Sequence, residues 1–380
     1  MLPFGLYIHV PFCAAICHYC NFNRGLLDDG LKRRYVGAVA SEIRSAPSRL
    51  GLGAAPPVDT IFFGGGTPSL LDGAEIGAIL DACRGSFAVA ADAEVTIEAN
   101  PETVAVPGLQ AYRRAGVNRI SFGVQSFREE ELRRLGRIHD VARARLAVTQ
   151  AREAGFDNLS LDLMMWLPQQ TVAEWLESVD AAIATGPEHL SLYMLELYPN
   201  APLRDEMARA GWSQAPDEDV AEMYESAMAR LEGAGFHQYE ISNVARPGRE
   251  SRHNLKYWRD GEWVGVGPGA HSTVAGQRWK NVSATDAWAA RVEAGAAFDV
   301  ERRVLTPDER WQEAVITGLR LTEGIDLRAF QERYGLDIEA RYGHHLRPYL
   351  DAGLVLIDAG RLHLSRRGML VANDVLLIFL

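Results

Sequence analysis

The sequence has 380 residues, of which 47% are apolar, and a formal net charge of −11. This length favours one large domain with a smaller second one, and the apolar content excludes a largely disordered chain. The negative charge argues against a nucleic-acid partner. The amino terminus does not resemble an export signal, and no apolar segment approaches the roughly 18 residues that a membrane span needs. We therefore predict a cytoplasmic location.

Six short apolar segments lie in the first half of the chain, and longer amphipathic stretches separate them. This alternation is typical of repeated βα units, whose parallel strands are buried on both faces. We predict a partial (β/α)6 TIM-like barrel, with an open doubly wound sheet as the alternative. Functional residues should then lie just beyond the carboxyl ends of the strands. The predicted strands are 6–10, 60–63, 94–98, 119–124, 159–165 and 189–194.

The pattern becomes less regular after residue 198. A connecting region of about 199–303 is expected there, with a further strand near 239–242. At Thr306 the sequence offers an N-cap, a first-turn proline and the acid of a capping box. We therefore predict a first domain at 1–303 and a second at 304–380.

The second domain has a winged-helix-like order of elements. Three short helical segments are followed by a hairpin over 354–365 and a last apolar helix from Met369. Winged helices often bind DNA, but 338–350 mixes acidic and basic residues without a basic stripe. Packing or partner docking is therefore the favoured role.

Three of the four cysteines lie within eight positions after the first predicted strand. Their crowding favours a metal or redox site over disulfides. The CxxxCxxC spacing of Cys13, Cys17 and Cys20 allows three thiolates to wrap around one side of a cubane cluster, so that one iron lacks a protein ligand. Zinc completed by His18 or by a distant residue is the alternative, although zinc motifs usually come as two cysteine pairs. Cys83 lies in a helical pattern and is interpreted as a buried small apolar residue.

This spacing after a YIHVPFC segment resembles the signature of radical S-adenosylmethionine enzymes. The resemblance implies a [4Fe–4S] cluster whose open iron chelates S-adenosylmethionine, and cleavage of the sulfonium to a 5′-deoxyadenosyl radical. It extends across the predicted barrel through the segments GGGTPS, IEANPE, RISFGVQSF, GRIHD and LDLMMWLPQQT.

Glycines and polar residues follow the other predicted strands. A glycine run lets a ligand meet bare backbone, although it can also be a simple tight turn. Buried polar groups need partners, which a ribose or an amino acid supplies, although each could singly be a helix cap. Asn100 and Gly123 belong to this group, and the resemblance directs Arg137 to the carboxylate of the cofactor. The S-adenosylmethionine contacts that the resemblance implies are Tyr7, Gly65, Gly66, Thr67, Glu98, Gln125, Arg137 and Asp162.

Two groups within this family fit the whole chain, namely oxygen-independent coproporphyrinogen III dehydrogenase and the HemW-type heme chaperones. The dehydrogenase pattern has a further cysteine two places after the third ligand, where this chain has Phe22, so Phe22 is expected at the cofactor site. The dehydrogenases also have an amino-terminal extension, whereas twelve residues precede Cys13 here. Both differences favour the HemW type. Asn21 replaces an aspartate that is common in it.

Residues 253–258 read HNLKYW, which resembles the HNxxYW motif associated with heme binding in the HemW type. An imidazole can ligate heme iron, and aromatic rings pack against a flat macrocycle. The resemblance therefore implies heme contacts from His253, Tyr257 and Trp258. From the residues alone, His253 could equally brace a loop over the barrel mouth.

The resemblance implies a chaperone that binds heme and transfers it to apo-hemoproteins such as respiratory cytochromes, with the cluster and S-adenosylmethionine tuning dimerisation or transfer. The alternative is radical decarboxylation of coproporphyrinogen III. We assign no catalytic residue, expect peripheral membrane contact at most, and regard a homodimer as compatible with the resemblance. Radical modification of RNA is disfavoured because the acidic chain has no basic, aromatic-interleaved module.

Overall fold

The computed structural model describes residues 3–380, and these form one large mixed sheet of twelve strands, two small sheets of three and two strands, and the helices around them. Among the described residues, no helix is long and apolar enough to span a membrane. The strands are β1 (Phe4–Val10), β2 (Phe12–Cys13), β3 (Gly25–Leu26), β4 (Pro57–Gly65), β5 (Ala88–Ala99), β6 (Arg119–Gln125), β7 (Leu159–Met165), β8 (His189–Met194), β9 (His237–Glu240), β10 (Asn243–Ala245), β11 (Trp263–Val266), β12 (His271–Val274), β13 (Gln277–Asn281), β14 (Asp299–Val304), β15 (Ile325–Asp326), β16 (Val355–Asp358) and β17 (Arg361–Leu364).

Side-chain caps begin many of the helices. Capping boxes formed by Asp72 with Glu75 and by Thr171 with Glu174 begin two of those that follow central strands. The helices are α1 (Asp29–Arg49), α2 (Gly73–Ser86), α3 (Val106–Ala115), α4 (Glu129–Arg134), α5 (Val141–Glu153), α6 (Val172–Ala184), α7 (Pro202–Ala210), α8 (Asp217–Gly233), α9 (Arg252–Trp258), α10 (Thr285–Glu293), α11 (Pro307–Gly318), α12 (Leu327–Tyr334), α13 (Ile338–Asp351), α14 (Arg366–Leu370) and α15 (Ala372–Leu376).

The six predicted strands form the parallel centre of the large sheet, in the order β1-β4-β5-β6-β7-β8. The bounds predicted for β7 and β8 agree with the structure. The sheet does not close on itself, because its two edges are β14 and β9. The prediction of a partial barrel is therefore confirmed.

The two faces of the central strands differ in polarity. In β5, Val95 and Ile97 pack in the apolar core, which includes side chains from α1, α2, α3, α5 and α6. Thr96 and Glu98 alternate with them and point to the opposite face. In β5 the face opposite the core is therefore polar.

The connecting region after residue 198 does not stand apart from the sheet. It adds β11 to β14 beside β1, and β10 and β9 beside β8. Its two β-rich parts thus widen the sheet at both edges. The strand predicted at 239–242 corresponds to β9, which begins two residues earlier.

The carboxyl-terminal part begins at α11, which Thr306 and Glu309 cap as predicted. Helices α12 and α13 follow, and β16 and β17 form the predicted hairpin around Gly360. Together with β15 they give a winged-helix-like unit. The last helix differs from the prediction because it begins at Arg366, and Val371 separates it into α14 and α15.

Candidate functional site

A cavity of about 380 Å³ opens at the carboxyl ends of the central strands, and we call it the barrel-mouth cavity. The segment that begins at Cys13 and runs to β3, which we call the cysteine loop, forms one wall of the cavity. Residues at the ends of β4 to β8 form the other walls. The position agrees with the expectation for a βα barrel. The predicted site residues that line it are Cys13, Cys17, Cys20, Phe22, Gly65, Gly66, Thr67, Glu98, Gln125, Arg137 and Asp162.

The cysteine loop is fixed at its far end by a polar anchor. Asn23 donates from Nδ2 to the carbonyl oxygens of Pro268 and Ser283, both at 3.0 Å. Its own carbonyl oxygen lies 2.7 Å from His9 Nε2. At its near end, β2 pairs with β3. The loop is therefore held between the first strand and the edge strands that come from the connecting region.

His18 lies in this loop but is held by other contacts. Its Nδ1 lies 3.1 Å from Glu206 Oε2, and its ring packs against Gly136. Within residues 3–380, no group of three or more His, Cys, Asp or Glu side chains is arranged to hold a single metal ion. His18 is thus tied to α7 and is not placed as a fourth ligand beside the cysteines.

The turn after β4 is built from glycines because the cysteine loop packs directly on it. Gly65 has a φ of 114°, and a Cβ on Gly66 would lie 2.6 Å from the carbonyl oxygen of Phe12 and 3.1 Å from Cys13 Sγ. The amide of Gly66 donates to Val10 and that of Thr67 to Phe12, both at 2.7 Å. A larger residue at Gly66 would push the first cysteine away from the cavity.

Two carboxyl groups on half-buried residues face the cavity from β5 and β7. Burial, and next the negative charge of Asp162, raise the pKa of Glu98 to about 8. A hydrogen bond from the amide of Gly65 to Glu98 Oε2, at 3.1 Å, acts in the opposite direction and lowers this pKa. Burial also raises the pKa of Asp162, which accepts a hydrogen bond from Ser121 Oγ at 3.1 Å. The pair creates a site suited to a cation or to hydroxyl donors.

Replacing Glu98 by glutamine is expected to make the free protein less sensitive to pH. The folded-state pKa of Glu98 lies above its usual 4.5, so its stabilising contribution is present below pH 4.5 and is lost as the pH rises to about 8. Relative to Glu98→Gln, the wild type should lose on the order of 3 kcal/mol of unfolding free energy between pH 5.5 and 8. Urea unfolding at both pH values measures this, and a pH-independent difference would contradict it.

Two side chains that line the cavity also carry buried polar atoms without protein partners. Oε1 of Gln125 and Nε of Arg137 are both buried and have no hydrogen-bond partner. Gln125 also has a left-handed backbone conformation, with a φ of 70°. Buried groups of this kind normally find partners. Together with three thiols and two carboxyl groups, they fit a cluster and a polar cofactor that carries hydroxyl, amino and sulfonium groups.

Four predicted site residues do not line the cavity. Tyr7 lies behind its wall, where its hydroxyl is 3.1 Å from His9 Nδ1 and its ring stacks on Phe62. The HNxxYW motif lies on α9, near Thr60 at the start of β4, whereas the cavity lies beyond the end of that strand. The four residues are Tyr7, His253, Tyr257 and Trp258.

The side chain of His253 is 1% exposed and has partners at both ring nitrogens. Its Nδ1 lies 2.9 Å from Thr60 Oγ1 and its Nε2 lies 2.8 Å from the Tyr257 hydroxyl. Burial lowers the pKa of His253 to about 3. Trp258 lies beneath the guanidinium of Arg320, at 4.5 Å from the ring centre. In this arrangement neither ring nitrogen is free for iron, so the heme contact that the resemblance implies for His253 would require one of these bonds to break.

Sequence reasoning missed an apolar rim around the cavity. Phe22 was expected at the site, but four neighbours in the rim were not. Tyr193 and Met194 end the predicted strand 189–194, and such strands are expected to be buried on both faces, whereas these two residues are exposed in the structure. Only the folded chain reveals that these side chains meet at one opening. The apolar rim consists of Phe22, Ile138, Tyr193, Met194 and Tyr198.

Comparison with known proteins agrees with this geometry. The family model of the radical SAM superfamily matches residues 7–182, and that of the HemN C-terminal domain matches residues 305–371. The heme chaperone HemW of Bacillus subtilis is 36% identical, with 98% of each chain covered, and that of Mycobacterium tuberculosis H37Rv is 40% identical, with 98% of this chain and 94% of its own covered. The chain belongs to the HemW family.

These matches confirm the radical SAM resemblance that the cysteine spacing indicated and the HemW type that was favoured within it. The radical SAM superfamily implies a [4Fe–4S] cluster and S-adenosylmethionine. Among solved structures, coproporphyrinogen III oxidase (HemN) from Escherichia coli, described as a radical SAM enzyme, superposes with a TM-score of 0.86 at 25% identity. The match covers 99% of this chain and 90% of that one. The arrangement of the two parts is therefore shared with a porphyrin-metabolising relative.

Proposed function

We propose that this protein binds heme and transfers it to apo-hemoproteins, with a [4Fe–4S] cluster and S-adenosylmethionine in the barrel-mouth cavity. The observation that carries the proposal is the similarity to heme chaperones of the HemW family, which spans nearly the whole chain. Respiratory cytochromes are the recipient class that the family resemblance suggests. The geometry of the cavity and its rim supports the proposal.

Cys13, Cys17 and Cys20 would hold three irons of the cluster, since all three line the cavity. When bound, such a cluster would supply the single electron that reduces the sulfonium of S-adenosylmethionine. The turn at Gly65 and Thr67 would pack against the methionine end of the cofactor.

The carboxyl groups of Glu98 and Asp162 would accept hydrogen bonds from ribose hydroxyls or from the amino group. These two residues and Gln125 all line the cavity, and Gln125 has a buried atom that still lacks a partner. These polar side chains at the ends of the central strands thus support cofactor binding.

The apolar rim is the surface that we propose for heme. Phe22 is 61% exposed, and the side chains around it are aromatic or aliphatic and also partly exposed. Exposed apolar side chains that cluster around an opening are typical of a ligand or partner site, and aromatic rings pack well against a flat macrocycle. Heme on this rim would lie beside the cofactors, and Phe22 would be its first contact from the cysteine loop.

A second candidate is the dehydrogenase reaction, which the close superposition on the Escherichia coli oxidase favours. Phe22 argues against it, because the dehydrogenase pattern has a further cysteine at that place. Anaerobic incubation of the reconstituted protein with coproporphyrinogen III and S-adenosylmethionine should leave the porphyrinogen unchanged. Conversion to protoporphyrinogen IX would overturn the chaperone proposal in favour of this enzyme.

Heme titration of the purified protein should give a saturable Soret band, and mixing with an apo-cytochrome should move the heme to the cytochrome. We expect Phe22→Ser to weaken heme binding about tenfold, which corresponds to about 1.4 kcal/mol of lost apolar contact. Leu146→Ser is the matched control, since Leu146 is 48% exposed on α5 and lies outside the barrel-mouth cavity. Equal affinities of the two variants would remove the rim from the heme site.

A further inference from the structure

Arg137 contacts one of the predicted cluster ligands directly. Its Nη1 donates to Cys17 Sγ at 3.2 Å, and its Nη2 donates to the carbonyl oxygen of Gly123 at 2.6 Å. The second bond fixes the guanidinium at the end of β6, so the first is not a chance contact of a free side chain. Family resemblance assigns Arg137 to the cofactor carboxylate, and the sulfur contact is an additional role.

We propose that Arg137 raises the reduction potential of the cluster by donating a charge-assisted hydrogen bond to the Cys17 thiolate. Reduction adds one electron to a cluster that the thiolates already make negative. A donor at the sulfur stabilises the reduced form more than the oxidised form, and hydrogen bonds to sulfur are an established determinant of cluster potentials. Arg137 is thus a positioning and tuning residue for the cluster.

The contact is selective among the polar groups near the cysteines. Thr67 Oγ1 lies 3.7 Å from Cys13 Sγ and is uncharged, so it is a weaker donor. Arg24 carries the same charge as Arg137 and lies in the same loop as the cysteines, but its Nη2 donates to the backbone oxygen of Cys20 at 2.5 Å. Arg24 therefore supplies positive charge near the cluster without a side-chain bond to sulfur.

This difference gives a matched pair of variants. Arg137→Gln and Arg24→Gln each remove one positive charge beside the cysteine loop, while only the first removes the bond to Cys17. Arg137→Lys keeps the charge but loses the fixed planar donor geometry. A potential shift that follows the bond and not the charge separates the proposed role from simple electrostatics.

The experiment is an EPR-monitored redox titration of the reconstituted full chain with dithionite, which supplies the single electron, in the absence of S-adenosylmethionine. At a fixed potential, Arg137→Gln should show about a tenfold lower ratio of reduced to oxidised cluster, which corresponds to a midpoint about 59 mV more negative. Arg137→Lys should fall between this variant and the wild type, and Arg24→Gln should shift less than half as far.

The inference rests on the cluster that is part of the proposed function, and iron and sulfide analysis tests that cluster separately. A wild-type protein that holds no iron and sulfide after reconstitution would overturn the proposed function. Loaded variants in which Arg137→Gln has the wild-type midpoint, or the same midpoint as Arg24→Gln, would overturn the tuning role alone. Circular dichroism before loading confirms that each variant is folded, and Arg137→Lys provides the comparison if the glutamine variant does not load.

Discussion

Cys17→Ala is expected to abolish the broad iron–sulfur absorbance of the reconstituted protein, whereas Cys83→Ala should leave it unchanged. Cys17 lines the barrel-mouth cavity, and the two remaining thiolates cannot hold a cubane well. Cys83 is fully buried in α2, where burial raises the pKa of its thiol to about 12, so it stays protonated and away from metal. Iron, sulfide and visible absorbance are measured on anaerobically reconstituted samples.

The same measurement decides between a cluster and zinc. Stoichiometric zinc without sulfide in the anaerobically purified wild type would contradict the cluster assignment. Equal loss of absorbance in both cysteine variants would mean that α2 supports the site or that general misfolding prevents loading. Because Cys83 lies in the core, its alanine variant also reports how much a small core change alone affects reconstitution.

Much of the barrel could be predicted because its physical cause is local in the sequence. Central parallel strands are buried on both faces, so they appear as apolar segments, and the chain must return through a helix between them. Polar residues that end such segments, such as Glu98 and Gln125, then converge on one edge of the sheet. Both residues line the one cavity, as this rule predicts.

The edge strands and the HNxxYW motif were harder to predict because long-range contacts decide their place. Strands β9 to β14 are short, and their pairing joins segments far apart in the chain, such as Trp263 with Gly5. The motif contains an imidazole and two aromatic rings, a composition that serves a heme site or a core equally well. Only tertiary contacts with Thr60 and Phe62 distinguish the two.

The apolar rim shows a second limit of sequence reasoning. Ile138 follows a glycine–arginine turn, and Tyr198 lies beyond β8, so nothing local relates them. Apolar residues are normally assigned to the core, and their exposure at an opening is a property of the folded surface. The rim therefore had to come from the structure, although one of its members, Phe22, was already notable in the sequence.

His253→Ala is expected to destabilise the fold strongly while leaving the Soret band of bound heme in place. The imidazole is buried, stacks on Phe62 at 5.2 Å between ring centres, and bonds Thr60 and Tyr257. Its loss leaves a cavity and two buried hydroxyl groups with fewer partners, which should cost roughly 3 kcal/mol of unfolding free energy. Urea unfolding measures the loss, and heme titration is done below the unfolding transition.

The two results together separate a structural role of the motif from heme ligation. If His253 bound the iron, one of its ring nitrogens would have to give up its hydrogen bond with Thr60 or Tyr257. Helix α9 would also have to move away from β4. The hydrogen bond from Lys256 Nζ to the carbonyl oxygen of Pro3, at 2.8 Å, opposes that movement. Each broken buried hydrogen bond would cost about 1–3 kcal/mol before any iron bond formed. His271→Ala, at a residue that is exposed on β12, is the control for removing a histidine without disturbing the core. Loss of the Soret band in His253→Ala but not in His271→Ala would show that heme binds at the HNxxYW motif. A retained band together with a large loss of stability would instead show that the motif has a structural role, in the packing of α9 against β4.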